Sequence, residues 1–152
     1  MQVYRLTKKN FSTSLSGAGS AKAGGRWNSK GTEIIYTSDS RSLSMLEKYI
    51  HMRSGIIPKD FVMMSLDIPD KTSMTEIDIK TLAPDWREET QISNIRKTGD
   101  DFITSNSACI LKVLSALVPG DHNYLINPAH PDFAQISIVS IDDFPFDDRL
   151  FT

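Results

Sequence analysis

The residue types best suited to chemistry in this chain lie close together, between positions 17 and 47. A glycine-rich loop, GAGSAKAGG, precedes Arg26 and Trp27, and the strand-like run that follows carries Tyr36. Glu47 then interrupts the apolar stripe of a predicted helix. Glycines let a backbone approach a ligand, a guanidinium grips phosphate, an aromatic ring stacks, and a half-buried carboxylate faces developing positive charge. Together these residues indicate a site for a phosphorylated, aromatic ligand that forms a cation.

Arg5 adds a second guanidinium, in the middle of the opening strand that the alternation in MQVYRLT predicts. Burying an arginine is costly unless an anion accompanies it. We therefore expect this strand to lie at a sheet edge, or Arg5 to face a polar cleft. A carboxylate on an apolar stripe is disfavoured in its charged form. We expect Glu47 to pair with a cation, Arg5 or Arg26, or else to reach solvent at the border of the stripe.

Each of these residues has an ordinary structural role as an alternative. The glycine-rich loop is neither a dinucleotide-binding fingerprint nor a P-loop, because no Gly-Lys-Ser or Gly-Lys-Thr follows and the strand comes after the loop. Without further context it would be a flexible loop. Arg26 could stack on Trp27, and Tyr36 could simply fill the core. The hypothesis of a site therefore rests on the combination of residues.

The elements that must position these residues follow from periodicity and turn signals. Asp39 or Ser40 is predicted to cap one helix, and a second helix is predicted with a break near Gly99. The stretch from Ser12 to Gly31 has no periodicity and is predicted to be one long functional loop. Strands and segregated helices without regular βαβ alternation predict an α+β fold. The predicted strands are MQVYRLT, EIIYTS, FVMMSLDI, TEIDI, ACILKVLSALV to about Ser115, and QISIVSI, and the helices are SLSMLEKYIHM and ISNIRKTGDDFITSN.

Length and composition limit the class of protein. A chain of 152 residues, 39% apolar and 24% charged, predicts one domain with one core. Runs such as FVMM are too short to cross a bilayer, and the N-terminus lacks the order of a secretory signal, so a cytoplasmic protein is expected. Cys109 and three scattered histidines have no zinc-ligand spacing, so metal chemistry is not expected. His130, in NPAHPDF, is expected to be a turn or core residue rather than a general base.

The charge distribution is uneven along the chain. The net charge is −2, but the first 60 residues hold ten lysines and arginines against four acidic residues. The basic half is the half that contains the glycine-rich loop. This distribution favours a local phosphate site over a nucleic-acid-binding surface, which needs a larger basic footprint.

Several motifs, in order, resemble those of the RES-domain family, the toxins of RES–Xre toxin–antitoxin pairs, named for an arginine, a glutamate and a serine. The resemblance covers nearly the whole chain and implies a single RES domain over residues 1–152. The family serine is placed at Ser115, with Ser105 and Ser107 as nearby alternatives. Leu114 stands where the family commonly has proline, which alters backbone restraint but removes no reacting group. The motifs are VYRL, GAGSAKAGGRWNSKG with IIYTS, LSMLEKYIH, NYLINPAHPDF and FPFDDRLF.

The resemblance implies an ADP-ribosyltransferase-like fold, with a split, strongly curved β core and flanking helices. It also implies an NAD site in the cleft between the opening strand, the glycine-rich loop and the helix of Glu47. Glu47 would stabilise the cationic ribosyl centre, and Tyr36 would stack on nicotinamide or the ribose. Arg5 and Arg26 would hold the pyrophosphate and ribose, and Ser115 would donate a positioning hydrogen bond. Catalysis thus falls to Glu47, Arg5, Tyr36 and Ser115, and the same residues with Arg26 bind NAD as substrate, without a metal.

The implied activity is cleavage of NAD at the nicotinamide–ribose bond by a glycohydrolase or phosphorylase, a toxin that depletes cellular NAD. Water or phosphate would be the acceptor. One alternative is transfer of ADP-ribose to a cellular protein, and an alternative of another class is an inactive module that binds NAD or the antitoxin. The implied partner is an Xre-family antitoxin. No direct contact with nucleic acid or membrane is expected.

Overall fold

The computed structural model describes all 152 residues, and its centre is one seven-stranded sheet. The strand order is β4-β5-β6-β2-β1-β3-β7, and all neighbours are antiparallel except β4 and β5. The strands are β1 Gln2–Lys8, β2 Ile35–Ser38, β3 Phe61–Asp67, β4 Met74–Glu76, β5 Ile110–Leu114, β6 His122–Ile126 and β7 Ser137–Asp143. The α-helices are α1 Ala18–Ala23, α2 Arg41–Tyr49 and α3 Ile92–Ser105, and short 3-10 turns link several elements. The α+β class is confirmed.

The sheet nearly divides between β1 and β2. A single residue pair, Tyr4 with Ser38, joins these strands, whereas β1 pairs with β3 along its whole length. Beyond that pair, the N–H of Leu6 donates to Oγ of Ser44 on α2 at 2.9 Å. Helix α2 thus satisfies a buried backbone donor of β1 where β2 diverges from it. This division agrees with the split β core that the sequence resemblance implied.

Three apolar clusters hold the helices and loops against the sheet. Because successive side chains of a strand point to opposite faces, β1 contributes Val3 to one cluster and Leu6 to another. The cluster of Val3 lies among β1, β2, β3, β5 and β6, and the cluster of Leu6 packs against α2 and the C-terminal segment. The third cluster holds Trp27 and Trp86 between α3 and the β5–β6 side of the sheet. The glycine-rich loop and α2 are therefore anchored on the same sheet.

Helix α3 continues without interruption through Gly99, so the predicted break there is wrong. A Cβ at Gly99 would overlap the carbonyl oxygen of Trp27. The glycine therefore allows α3 to pack directly against the backbone of the glycine-rich segment, residues 17–28, at a cost of about 1 kcal/mol in helix propensity. The predicted long loop is also only partly correct, because Ala18–Ala23 forms α1.

Two smaller predictions are confirmed by local hydrogen bonds. Ser40 caps α2, because its side chain accepts the N–H of Leu43. His130 caps the 3-10 helix Pro131–Gln135 by accepting the N–H of Asp132 on Nδ1 at 3.1 Å. His130 is therefore a turn residue, as the sequence predicts. None of the helices has both the length and the apolar character that crossing a lipid bilayer requires.

Candidate active site

Glu47 lies on α2, half-buried, and its two carboxylate oxygens have different environments. Oε1 accepts hydrogen bonds from Oγ of Ser115 at 3.0 Å and from Nδ2 of Asn123 at 2.7 Å. Oε2 accepts no hydrogen bond from the protein and is accessible to solvent. One oxygen is therefore fixed by the protein, while the other is free to face a ligand.

Ser115 follows β5 and is completely buried. Its Oγ accepts the N–H groups of Leu117 and Val118, both at 3.1 Å, and its own N–H donates to the carbonyl of Asp121. A hydroxyl has two lone pairs and one proton. With both lone pairs engaged by the backbone, the proton of Ser115 is directed to Glu47. The geometry makes Ser115 a hydrogen-bond donor and not a nucleophile.

The competing serines lie elsewhere. Ser105 ends α3, where its Oγ donates to the carbonyl of Phe102 at 3.1 Å and lies 3.3 Å from Oγ of Ser107. Neither hydroxyl contacts Glu47. Of the three candidate serines, Ser115 is the one that the fold brings to the carboxylate.

Asn123 is a part of this site that the sequence did not indicate. It lies on β6, opposite Ser38 of β2, and its Oδ1 accepts a hydrogen bond from Oγ of Ser38 at 2.7 Å. Its Nδ2 donates to Glu47, so a chain of hydrogen bonds runs from β2 through β6 to α2. The sequence signal that could have found it is the alternation in β2, which places the polar Ser38 on the same face as Tyr36. Asn123 is the residue that pairs with Ser38 on β6.

Tyr36 joins β2 to the glycine-rich segment. Its hydroxyl donates to Oδ1 of Asn28 at 2.6 Å and accepts the N–H of Trp27 at 3.1 Å. Burial raises the pKa of Tyr36 well above its ordinary value, so the phenol is neutral. A Cβ at Gly25 would lie 2.5 Å from the Tyr36 hydroxyl oxygen, which explains why glycine occupies that position. Tyr36 as a whole is partly exposed.

Two guanidinium groups border Tyr36. Arg26 donates from Nη1 to the carbonyl of Arg87 at 3.3 Å, and Arg96 of α3 donates from Nε to the carbonyl of Gly25 at 2.8 Å. The positive charges of Arg96 and Arg26 oppose the effect of burial on the pKa of Tyr36. Arg96 was not identified from the sequence, because its partner is a backbone carbonyl that no side-chain pattern reveals. It holds the loop next to Arg26.

Arg5 lies on β1, which is flanked by β2 and β3, so the prediction that this strand could be an edge is wrong. Its half-buried guanidinium forms no hydrogen bond and no ion pair with the protein. Burial lowers the pKa of Arg5. Burial and the nearby charges of Arg5 and Lys8 lower the pKa of Lys48, which follows Glu47 on α2. Arg5 is thus a cation close to α2 that has no anionic partner in the protein. A group that binds an anionic ligand has this property.

The expected pairing of Glu47 with an arginine is wrong. Neither Arg5 nor Arg26 forms an ion pair, and the partners of Glu47 are the neutral donors Ser115 and Asn123. Hydrogen bonds from neutral groups stabilise the buried oxygen without neutralising the charge. No side-chain cation of the protein forms an ion pair with this carboxylate, so it is available to a cationic ligand. No cluster of three or more His, Cys, Asp or Glu side chains able to hold a metal ion occurs.

Comparison with known proteins gives consistent similarities. Residues 2–147 match the RES domain. The chain is 35% identical over 141 residues to "Toxin Res" of Pseudomonas putida, covering 90% of this chain and 92% of that protein. It is 34% identical over 139 residues to the "Prs ADP-ribosylating toxin" of a Sphingobium species, covering 90% of this chain and 86% of that protein.

The fold is also similar to a solved structure, that of the M. tuberculosis MbcT–MbcA toxin–antitoxin complex. The TM-score is 0.68 with 18% sequence identity, over 95% of this chain and 84% of the matched chain. At this level of identity the similarity supports the α+β architecture alone.

Proposed function

The chain belongs to the RES domain family, and from this we propose that it is the toxin of a toxin–antitoxin pair and cleaves NAD between nicotinamide and ribose. The observation that carries the proposal is the carboxylate of Glu47, with Oε1 bound by Ser115 and Asn123 and Oε2 open to solvent. The names of two relatives support the two parts of this proposal: one is a Res toxin, and the other is an ADP-ribosylating toxin.

Glu47 would act electrostatically. Breaking the bond between nicotinamide and ribose leaves positive charge on the anomeric carbon, as in glycoside hydrolysis. Nicotinamide departs as a neutral molecule, so no residue needs to protonate it. The open Oε2 of Glu47 would face the developing cation, while the hydrogen bonds to Oε1 keep the carboxylate from turning away.

The remaining residues would bind and orient the substrate. Arg5 is a half-buried cation without a protein partner, which suits the pyrophosphate. Arg26 would contact the pyrophosphate or ribose from the glycine-rich segment. Tyr36 is partly exposed, and its ring would stack on nicotinamide or the ribose while its hydroxyl holds Asn28 and Trp27 in place. Ser115 would position Glu47 by the hydrogen bond from its Oγ.

We propose water or phosphate as the acceptor of ADP-ribose, so that cellular NAD is depleted. Transfer of ADP-ribose to a cellular protein is the second candidate, and the name of the Sphingobium relative favours it. Both activities share the first step at Glu47. We also propose that residues 1–152 form one RES domain that acts in the cytoplasm without a metal, restrained by an Xre-family antitoxin. The solved structure with the similar fold is named as a toxin–antitoxin complex, which is consistent with an antitoxin partner, and the Xre family is what the sequence resemblance implies.

The test is product detection over time when the purified protein is mixed with NAD, with and without phosphate. Free nicotinamide with ADP-ribose or its phosphate is expected. Glu47→Gln keeps an oxygen to accept hydrogen bonds but removes the charge, and it should lower the rate by about a hundredfold or more. Glu89→Gln, at an exposed position, is the matched control and should leave the rate unchanged.

Two results would contradict the proposal. If correctly folded Glu47→Gln cleaves NAD at the normal rate, the central role of Glu47 is wrong. If NAD stays intact until cell extract is added, and ADP-ribose then appears on a protein by mass spectrometry, the transferase is the correct function.

A further inference from the structure

We propose that Asn123, supported by Ser38, is a positioning residue that sets the orientation of the Glu47 carboxylate. The proposal rests on the proposed function, in which Glu47 is the group that faces the reacting ribose. It assigns a role to a residue outside the arginine, tyrosine, glutamate and serine discussed above. The first observation is the short hydrogen bond from Nδ2 of Asn123 to Oε1 of Glu47, at 2.7 Å.

The chemistry of Ser38, Asn123 and Glu47 sets the direction in which hydrogen bonds are donated along this series. An ionised carboxylate can only accept, so the amide of Asn123 must turn its Nδ2 towards Glu47. Oδ1 then points away from Glu47 and needs a donor. The hydroxyl of Ser38 supplies it, at 2.7 Å, from a buried position on β2. Glu47 therefore sets which way the amide faces, and the hydrogen bond from Ser38 restrains the amide in that orientation.

The amide is also held by its strand. Asn123 lies on β6, between β5 and β2, where it is opposite Val113 on one side and Ser38 on the other. Its backbone cannot shift without disturbing both ladders. The carboxylate, by contrast, is carried by α2, a separate element that rests on the sheet. Through its hydrogen bond, Asn123 therefore restrains the Glu47 side chain of α2 relative to the sheet.

Both donors to Glu47 reach the same oxygen, and this explains how the orientation is selected. Ser115, just after β5, and Asn123, on β6, both donate to Oε1, and Oε2 receives no donor from the protein. A half-turn of the carboxylate about its last bond exchanges the two oxygens but leaves the same arrangement, and a smaller rotation moves Oε1 away from the position that the two donors share. Two fixed donors therefore hold the plane of the carboxylate and the direction of its free oxygen more tightly than one donor does.

A purely structural role, tying α2 to the sheet, would also account for the contact, and kinetics distinguish the two. If Asn123 positions Glu47, Asn123→Ala should lower kcat for NAD cleavage about tenfold to a hundredfold, the effect of losing a hydrogen bond to a charged group. The KM for NAD should change little, because the lost interaction acts in the transition state. Asn123→Asp, which keeps the shape and still accepts from Ser38, should lower kcat at least as much.

Thr37→Val is the matched control. Thr37 is buried on β2 and donates from Oγ1 to the carbonyl of Tyr124 on β6 at 2.7 Å, so its loss weakens the same pair of strands without reaching Glu47. It should lower the unfolding temperature and leave kcat unchanged. A decrease in kcat equal to that of Asn123→Ala would mean that loosening the sheet is sufficient, and this would overturn the proposal.

Double variants provide the decisive measurement. Asn123→Ala should have no further effect on turnover in a Glu47→Ala background, and Ser38→Ala should have little further effect once Asn123 is alanine. An Asn123→Ala protein with normal kcat, or one whose loss is as large without Glu47 as with it, overturns the proposal.

Growth arrest on induction in cells measures the same variants without assuming a substrate. If the wild type arrests growth but leaves NAD intact, the proposed function fails, while Asn123→Ala should still relieve the arrest at equal protein level. Full arrest by Asn123→Ala then overturns the positioning role. A wild type that neither cleaves NAD nor arrests growth contradicts both proposals.

Discussion

Ser115 and Glu47 are 68 positions apart in the sequence, yet Oγ of Ser115 lies 3.0 Å from Oε1 of Glu47. The backbone N–H groups of Leu117 and Val118 occupy the lone pairs of the serine oxygen, so the turn after β5 determines where its proton points. The serine hydroxyl is therefore oriented before any ligand arrives. Its proton supports the carboxylate, and its oxygen is not available to attack a substrate.

Ser115→Ala should slow NAD cleavage about tenfold to a hundredfold, because a hydrogen bond to a charged oxygen is lost. It should also lower the free energy of unfolding, since two N–H groups near a buried position lose their acceptor. Ser107→Ala, at an exposed position, is the control and should change neither quantity. A larger kinetic effect at Ser107 than at Ser115 would mean that the functional serine is misassigned. Initial rates and urea denaturation measure both quantities.

Much of the scaffold was predictable because its strands alternate or are strongly apolar. In β1, Val3 and Leu6 belong to different apolar clusters, as the pattern of MQVYRLT indicates. The run FVMMSLD is buried on nearly every residue because β3 has a neighbour on each side and cores on both faces. Local sequence alone therefore predicts that such runs form strands.

The missed features depend on partners distant in the sequence. Strand β6 contains His122, Asn123 and Tyr124, whose polarity is typical of a turn, and only pairing with β2 and β5 makes it a strand. Gly99 suggested a helix break, but its reason lies 72 positions away, at the carbonyl of Trp27. Arg96 recognises the carbonyl of Gly25, which is a backbone group. No periodicity within one segment carries that information.

Gly99→Ala should destabilise the protein strongly, because the added methyl group would overlap the carbonyl oxygen of Trp27. Overpacking of this kind costs about 1–3 kcal/mol or more, unless α3 moves away from the glycine-rich segment. If α3 moves, the KM for NAD should rise as well. Gly19→Ala, in α1, is the control, because no atom lies within 4 Å of the added Cβ. Thermal unfolding of the two variants tests this, and equal stability of both would contradict the packing account.

Tyr36→Phe should separate the role of the ring from that of the hydroxyl. The variant leaves Oδ1 of the buried Asn28 and the N–H of Trp27 without this partner, so the free energy of unfolding should fall by about 1–3 kcal/mol. The KM for NAD should rise because the segment carrying Arg26 is less fixed, while kcat is maintained by the ring. Tyr36→Ala should lower kcat also. A Tyr36→Phe enzyme with unchanged stability and KM would contradict the anchoring role.

Arg5→Met should make the free protein more stable and its binding of NAD weaker. The guanidinium is half-buried without an anionic partner and lies near Lys48, so its removal relieves desolvation and repulsion. The same charge is the one proposed for the pyrophosphate, so the KM for NAD should increase. Arg53→Met, at an exposed position, should leave both quantities unchanged. A destabilised Arg5→Met protein with normal KM would show that Arg5 supports the fold instead.

The last prediction concerns acid stability and Asp132, in the NPAHPDF motif. Oδ2 of Asp132 accepts hydrogen bonds from Oγ of Ser73 at 2.6 Å and from the N–H of Ser73 at 2.9 Å. These bonds hold the pKa of Asp132 below its ordinary value of 3.8. Because the folded pKa is the lower one, the stabilisation is present above the unfolded pKa and is lost as the pH falls through the folded pKa.

Ser73→Ala removes the hydroxyl bond, so the pKa of Asp132 should return towards its ordinary value. The difference in unfolding free energy between the wild type and Ser73→Ala should be largest above about pH 5 and should narrow towards about pH 2. A remainder independent of pH is expected, because Oγ of Ser73 also accepts the N–H of Cys109 at 3.0 Å. Urea denaturation across this range measures the difference, and in an Asp132→Asn background the effect of Ser73→Ala should lose its pH dependence. If the difference in unfolding free energy between the wild type and Ser73→Ala is the same at every pH, Ser73 acts through Cys109 alone.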